Sequence, residues 1–162
     1  MISIRPTLPQ DTAAILQMAA SEPLFTPEEA DTVEELLNDY LQKPDHHGYF
    51  FLTAELDGQV AGFACHGPTS LTKGTFDLYW ICVDRRFSRK GIGKALIERT
   101  EDEVQHAGGR LIVVETSGSP EYAPTRAFYE GVGYARIATI PDYYDAGDDL
   151  VIYVRAFKPC RS

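Results

Sequence analysis

The sequence predicts a mixed α/β (α+β) fold: a single, mostly antiparallel sheet of about seven strands flanked by about four helices. Three observations predict it. Short apolar runs of strand length alternate with segments whose apolar residues recur at helical spacing. One pair of runs is joined by Asp57-Gly58, a two-residue hairpin signal. The chain of 162 residues, 44% of them hydrophobic, suffices for one hydrophobic core and not for several.

The elements follow in order. "ISIRP" reads as a first strand and "TLPQDTAAILQMAA" as a helix, with Thr7 as N-cap and Gln10 three residues on. A second helix opens at "TPEE", with Thr26 as cap, Pro27 in the first position and Glu29 completing a capping box. Val33, Leu36, Leu37, Tyr40 and Leu41 form its buried stripe, and its other face is acidic. "GYFFLTAEL-DG-QVAGFACHG" is a hairpin, because the turn needs two positive φ angles and Asp-Gly supplies them. "GTFDLYWICVD" is a fourth strand. The helix after "RKGIG" ends at Gly108-Gly109. "RLIVVETS" reads as a fully buried strand, "YAPTRAFYEG" as a short helix, and "YARIATI" and "DLVIYVRAF" as two closing strands. The order is β-α-α-β-β-β-α-β-α-β-β.

Composition narrows the function. The net charge is −9, which argues against nucleic acid as a partner. Residues 1–84 hold 13 acids and 3 bases, whereas residues 85–162 hold 11 acids and 12 bases. Arg85, Arg86, Arg89, Lys90 and Lys94 fall within ten positions, a cationic spot suited to a small anion or simply to a solvated turn. No run approaches the roughly 20 apolar residues that cross a bilayer, and "MISIRPTLPQ" lacks the apolar core of a secretory signal. Three cysteines without CxxC spacing predict no disulfide framework, and a reducing cytoplasm is the expected setting. None of the four histidines has metal-ligand spacing, so no metal is expected. Asp145, Asp148 and Asp149 lack the EF-hand pattern and read as a solvated turn.

"SRKGIGKAL" raises three phosphate-site readings. A dinucleotide fingerprint fails because Leu96 stands where the third glycine belongs. A Walker A loop fails at Ser88 and Ala95. A glycine-rich helix N-terminus that holds a pyrophosphate through main-chain N–H groups needs neither residue.

"VDRRFSRKGIGKALI" resembles the coenzyme A pyrophosphate loop of the GNAT superfamily of N-acetyltransferases, and "AFYEGVGY" (127–134) resembles its second signature. The resemblance extends over nearly the whole chain. It implies a GNAT acyltransferase fold in one N-acetyltransferase domain of residues 1–162, with acetyl-CoA as co-substrate. It places the cofactor on the loop Ser88, Arg89, Lys90, Gly91, Ile92, Gly93 and Lys94, and on main-chain groups of Ile81, Cys82 and Val83. Two departures stand out: Ser88 replaces the usual Arg or Gln, and Tyr122 replaces a common Asn.

The same resemblance matches Tyr129 to the general acid, since a tyrosine can protonate a leaving thiolate. Glu115, in "VVETS", is the first candidate base and Asp77 the second, with a water chain as the third option. Inside an apolar strand Glu115 should be paired or have a raised pKa. Cys82 has no evident His partner and reads as a structural thiol. Phe25, Tyr143 and Tyr144 lie in segments that usually border the acceptor, so they are candidate substrate-binding residues or ordinary loop-packing aromatics. Acidic residues of the second helix, with Asp142 and Asp145, favour a cationic acceptor. The expected reaction is acetyl transfer to a small-molecule or peptide amine, with a non-catalytic acyl-CoA-binding module as the alternative. No membrane partner is expected, and the sequence is compatible with a homodimer.

Overall fold

Seven strands hydrogen-bond into one sheet, in the order β1-β2-β3-β4-β5-β7-β6, in a computed structural model that describes residues 1–43 and 48–158. The strands are β1 (Ile2–Pro6), β2 (Phe50–Leu56), β3 (Gln59–Pro68), β4 (Thr75–Val83), β5 (Leu111–Ser117), β6 (Ala135–Asp145) and β7 (Asp148–Ala156). The helices are α1 (Thr12–Ser21), α2 (Pro27–Gln42), α3 (Ile92–His106) and α4 (Ala123–Gly131). This is the element order that the sequence predicts. His46, His47 and Cys160 lie outside the described residues.

Local chemistry sets the connections. Asp57 and Gly58 adopt φ 51° and 82°, and the hairpin joins β2 to β3 in antiparallel register. β4 and β5 are the one parallel pair, which a crossover must connect, and α3 supplies it. β7 then inserts between β5 and β6, antiparallel to both.

The sheet separates two apolar layers. Ile15 and Met18 of α1 and Val33 and Leu37 of α2 pack on Phe51, Phe63 and Cys65. On the opposite face Ile92 and Leu96 of α3 pack on Ala54, Ala61 and Ala64. Strand alternation sends Phe51, Phe63 and Cys65 towards α1 and α2 and Leu52, Ala54 and Ala64 towards α3, and a register shift at Ala61 brings that alanine to the α3 face as well. Ile97 and Val104 continue along α3 into a cluster with Phe76, Ile112, Tyr129 and Tyr153. Among the described residues no helix is long and apolar enough to cross a membrane.

Besides β6, which runs past "YARIATI" as far as Asp145, two elements differ from their sequence reading. Thr7 does not cap α1. It continues the extended path of β1, with its N–H donating to the Phe51 carbonyl at 3.1 Å and its hydroxyl paired with that of Thr53 at 2.8 Å. A 3₁₀ turn, Pro9–Asp11, precedes α1, and the Asp11 carboxylate accepts the Leu8 N–H at 2.8 Å. Arg5 grips the same carboxylate at 2.7 and 2.9 Å. Burial pulls the Asp11 pKa upward, yet hydrogen bonds from Arg5, Leu8 and Thr53 outweigh it and hold the group below the ordinary carboxylate range. The second difference is β5, which is not buried throughout: Glu115 is exposed. Of the capping box expected at the start of α2, the Thr26 half is present, with the Glu29 N–H donating to the Thr26 hydroxyl at 3.1 Å, whereas no return bond from the Glu29 carboxylate is found among the described residues.

His66 of β3 is 3% exposed, stacked on Phe50 and close to Phe76, with Nε2 3.7 Å from a Glu103 carboxylate oxygen. Its Nδ1 has no hydrogen-bond partner among the described residues. Burial outweighs the nearby carboxylate and lowers the imidazole pKa to about 4. Between pH 6.5 and about 4 the unfolded chain therefore holds a proton that the folded chain refuses. His66 thus makes stability fall as pH drops through that window, by up to about 3 kcal/mol. Urea unfolding at pH 7 and pH 5 should show about 2 kcal/mol of this loss, and His66→Leu should remove most of that difference.

Candidate functional site

The site originates where β4 and β5 part. They pair only through Thr75–Leu111, Phe76–Ile112 and Asp77–Val113. Immediately beyond, the β3 register jumps from His66–Leu78 to Cys65–Trp80 and leaves Tyr79 as an extra residue in β4. Such a bulge bends its strand and sharpens the local twist. β4 consequently swings away from β5, and a cleft of about 1230 Å³ opens between the two.

One wall of the cleft is Leu78–Val83 and the other is Val114–Ser117, with Asp77 at the apex. The mouth is formed by the α1–α2 connection, a 3₁₀ turn at Pro120–Tyr122, and the β6–β7 turn. Cross-ties hold it. The Tyr122 hydroxyl donates to the Leu24 carbonyl at 2.8 Å, joining the 3₁₀ turn to the α1–α2 connection. Arg126 donates to the carbonyls of Ser117 and Ser119, both at 2.8 Å, fixing the end of β5 to α4. The Ser117 hydroxyl is hydrogen-bonded to the Asp148 carboxylate of β7. Tyr122, the residue that departs from the family pattern, is thus a structural tie.

The cleft brings together Asp77, Ile81, Cys82, Val83, Glu115 and Tyr129, with Phe25 and Tyr144 at its mouth. Tyr143 is not in the lining; it is 53% exposed and sits edge-on to Tyr144 with ring centroids 5.0 Å apart. Asp77 accepts a hydrogen bond from the Thr69 hydroxyl at 2.7 Å. Glu115 makes no hydrogen bond or ion pair among the described residues, and it faces the space that β4 vacates. The expectation of a buried partner for Glu115 is therefore replaced by exposure to the cleft.

Tyr129 is 6% exposed and surrounded by the rings of Phe128, Tyr134 and Tyr153. Its hydroxyl has no hydrogen-bond partner among the described residues. Burial pushes its pKa above the ordinary tyrosine value, so the side chain is a neutral phenol at physiological pH.

The residues Ser88–Lys94 stand past the end of β4, beyond a 3₁₀ turn at Arg85–Phe87 and outside the cleft lining. Gly91, at φ 81°, is the N-cap of α3, a conformation that disfavours any side chain. A Cβ on Gly93 would lie 3.2 Å from the Phe128 ring, so glycine permits the helix start to approach α4. The first N–H groups of α3 have no intrahelical acceptor. Ile92 itself is 1% exposed, so only its main chain can meet a ligand. Arg86 is paired with Asp84 at 2.8 Å and Arg85 with Glu22 at 3.6 Å. Arg89 and Lys90 have no such partner among the described residues and are exposed. Lys94 in turn lies 3.9 Å from Glu98, so three of the five clustered cations are paired internally and Arg89 and Lys90 are left facing solvent.

Sequence reasoning missed Glu22, Trp80, Glu121 and the cleft position of Asp148. None has a motif. Each reaches the site through a turn or through the β4 bulge, which no periodicity marks.

Cys82 is 5% exposed on the cleft wall. Burial, then the charges of Glu22 and Asp84, push its pKa up to about 12. At pH 8 roughly one Cys82 in ten thousand is thiolate. Iodoacetamide should therefore leave Cys82 unlabelled in the native protein at pH 8, while urea-unfolded chain is fully alkylated. Mass spectrometry of the Cys82 peptide reads the result, and rapid native labelling would restore a nucleophile role.

Residues 13–147 match the family model described as Acetyltransferase (GNAT) family. A GNAT-family crystal structure from Desulfovibrio desulfuricans superposes with TM-score 0.92 and 43% identity, covering 96% of this chain and 99% of that one. The ribosomal protein bS18-alanine N-acetyltransferase of Escherichia coli is 30% identical over 99 residues, 59% of this chain and just under two thirds (64%) of the enzyme. An acetyltransferase from Salmonella typhimurium, solved with its cofactor acetyl-CoA, superposes with TM-score 0.78 at 19% identity, covering 100% of this chain and 97% of that one.

Proposed function

We propose a specific reaction for a chain that belongs to the GNAT acetyltransferase family and is thereby an acyltransferase: transfer of an acetyl group from acetyl-CoA to a primary amine. The acceptor is a small molecule or a peptide N-terminus. The observation that carries this reading is the parting of β4 and β5, with a neutral, unpartnered tyrosine between the walls and a glycine-rich helix start at the end of β4.

Each part suits one task. The N–H groups at the start of α3 and the charges of Arg89 and Lys90 suit a pyrophosphate, which lies outside the cleft while an extended thioester arm enters it. Beyond Asp77 the β4 backbone is freed from β5, so main-chain groups of Ile81–Val83 are available to hold that arm and polarise its carbonyl. Glu115 is the first candidate to take the proton from the attacking ammonium, because it is unpaired and opens on the cleft. Asp77, already accepting from Thr69, is the second, and a water chain is the third.

Tyr129 suits the proton donor to the leaving sulfur. Its raised pKa makes it a weaker acid than a free tyrosine, and the same dry surroundings destabilise a thiolate. Burial therefore acts on both partners, and hydrogen bonding of the phenol to the developing negative charge remains favourable.

Calorimetric titration tests the donor: acetyl-CoA and desulfo-CoA should both bind, and binding of neither refutes the reading. Gly93→Val should weaken acetyl-CoA binding about tenfold by pushing the helix start off Phe128. Thiol release across an amine panel tests the reaction. Tyr129→Phe should lower kcat by about a hundredfold or more with little change in acetyl-CoA affinity, and Glu115→Gln should also lower kcat. Full activity in both variants would remove these role assignments.

A further inference from the structure

The cleft lining contains seven carboxylates and, among the described residues, no lysine, arginine or histidine. A single acceptor amine does not account for that imbalance. Four of the seven are engaged within the protein: Glu22 with Arg85, Asp77 with the Thr69 hydroxyl, Asp148 with the Ser117 hydroxyl, and Asp145 with the Ala146 N–H. Glu29, Glu115, Glu121, Asp145 and Asp148 have no cationic partner among the described residues. They come from five different places: the first turn of α2, the wall of β5, the 3₁₀ turn before α4, and the two strand ends at the β6–β7 turn. They ring the cleft mouth with aromatic side chains of Phe25, Tyr122 and Tyr144 set between them.

Their field is visible in neighbouring groups. Burial raises the Tyr122 pKa, and the charges of Glu29, Asp148, Glu22 and Glu121 raise it further. Burial, then Glu115, Tyr143 and Asp148, push Tyr144 up to about 12. Glu29 is itself raised, by burial and then by Glu28. Burial is the first cause in each case, and for Tyr122 and Tyr144 the cleft carboxylates add to it in the same direction. A separate feature shows that the space is built for a ligand: Tyr129, more than nine-tenths buried, lines the cleft without a protein hydrogen-bond partner.

We propose that the acceptor is an aliphatic oligoamine with at least two ammonium groups, one acetylated beside Tyr129 and Glu115 and the others held at the mouth by Glu29, Glu121, Asp145 and Asp148. The inference rests on the acetyl-transfer reading above. Separated carboxylates suit charges spaced along a flexible chain, and the intervening aromatics suit both methylene segments and ammonium groups. A peptide N-terminus brings one obligatory cation followed by neutral backbone, whose carbonyl oxygens would face these carboxylates and leave them unpaired.

The chemistry is consistent with turnover. The acceptor ammonium gives one proton to the base and its neutral nitrogen forms the C–N bond as the C–S bond breaks; Tyr129 gives a proton to the leaving sulfur, and the second proton shed by the new amide nitrogen restores the phenol, so coenzyme A leaves as the free thiol. The product carries one positive charge fewer than the substrate, so the acidic mouth holds it more weakly and favours its release.

The test is thiol release at saturating acetyl-CoA with butylamine, 1,4-diaminobutane, spermidine and a neutral tetrapeptide amide. The expected kcat/KM rises about tenfold with each added ammonium group. That gain should collapse at about 0.5 M salt, where the Debye length falls to a few ångströms. Glu121→Gln and Glu29→Gln should lower kcat/KM for spermidine more than for butylamine. Equal kcat/KM for the three amines, or faster turnover of the peptide, overturns the inference and leaves acetyl transfer standing. If no amine is acetylated, titration of spermidine and butylamine into the CoA-loaded protein separates the two ideas. Tighter spermidine binding upholds the charge preference and removes the reaction, whereas equal or absent binding removes both.

Discussion

β4 and β5 hold together for three residue pairs and then separate, and the rest of the site depends on that limit. A parallel pair continued to the strand ends would occupy the backbone of Ile81–Val83 with ladder bonds and would cover Glu115. The separation has a local cause in the extra residue at Tyr79, placed one step after the last paired position of β4 has passed into Leu78. It also needs support from outside the pair. β4 remains bonded to β3 as far as Val83, and β5 remains bonded to β7 as far as Ser117, so each wall is the edge of an intact half-sheet.

The two half-sheets are held in register by different means. The first carries α1 and α2 on one face, and its outer corner is secured by Arg5, which bridges the nearly buried Asp11 and the half-exposed Glu55. The second is packed by α4, whose Tyr129 sits among Tyr134 and Tyr153. α3 crosses between them and contributes to both α3-face clusters, through Ile92 and Leu96 on one side and Ile97 and Val104 on the other. A helix that spans the opening in this way also presents its N-terminus near the end of β4. Anion-binding capacity and cleft geometry thus follow from one packing arrangement.

Charge is distributed to match. Cationic side chains are concentrated around the start of α3, and carboxylates line the cleft that opens from β4. The proposed anionic donor and cationic acceptor would therefore be drawn to different ends of one site. Within it, the groups suited to proton transfer remain neutral or unpaired because the surrounding elements supply them with no counter-charge. Cys82, although on the cleft wall, is excluded from nucleophilic work by the same burial that keeps Tyr129 a phenol.

Much of this was legible in the residues. The Asp57-Gly58 turn, the cap at Thr26 and the glycines of 91–93 each state a local backbone requirement, and local requirements are written in adjacent positions. Strand and helix periodicities then order the elements, and the two motifs identify the family. Other features were decided only by the tertiary structure. Thr7 reads as a helix cap, but pairing with Phe51 and Thr53 keeps it extended and passes the closing role to Asp11. Glu115 reads as buried in an apolar strand, but the departure of β4 exposes it. Glu121 and Asp148 carry no motif, and only the convergence of two turns makes them part of one acidic mouth. Sequence by itself determined the elements and the glycine-rich start of α3, because these depend on neighbours along the chain. The cleft, its charge and the environment of each candidate proton carrier depend on groups brought together across the sheet, so only the folded chain decided them.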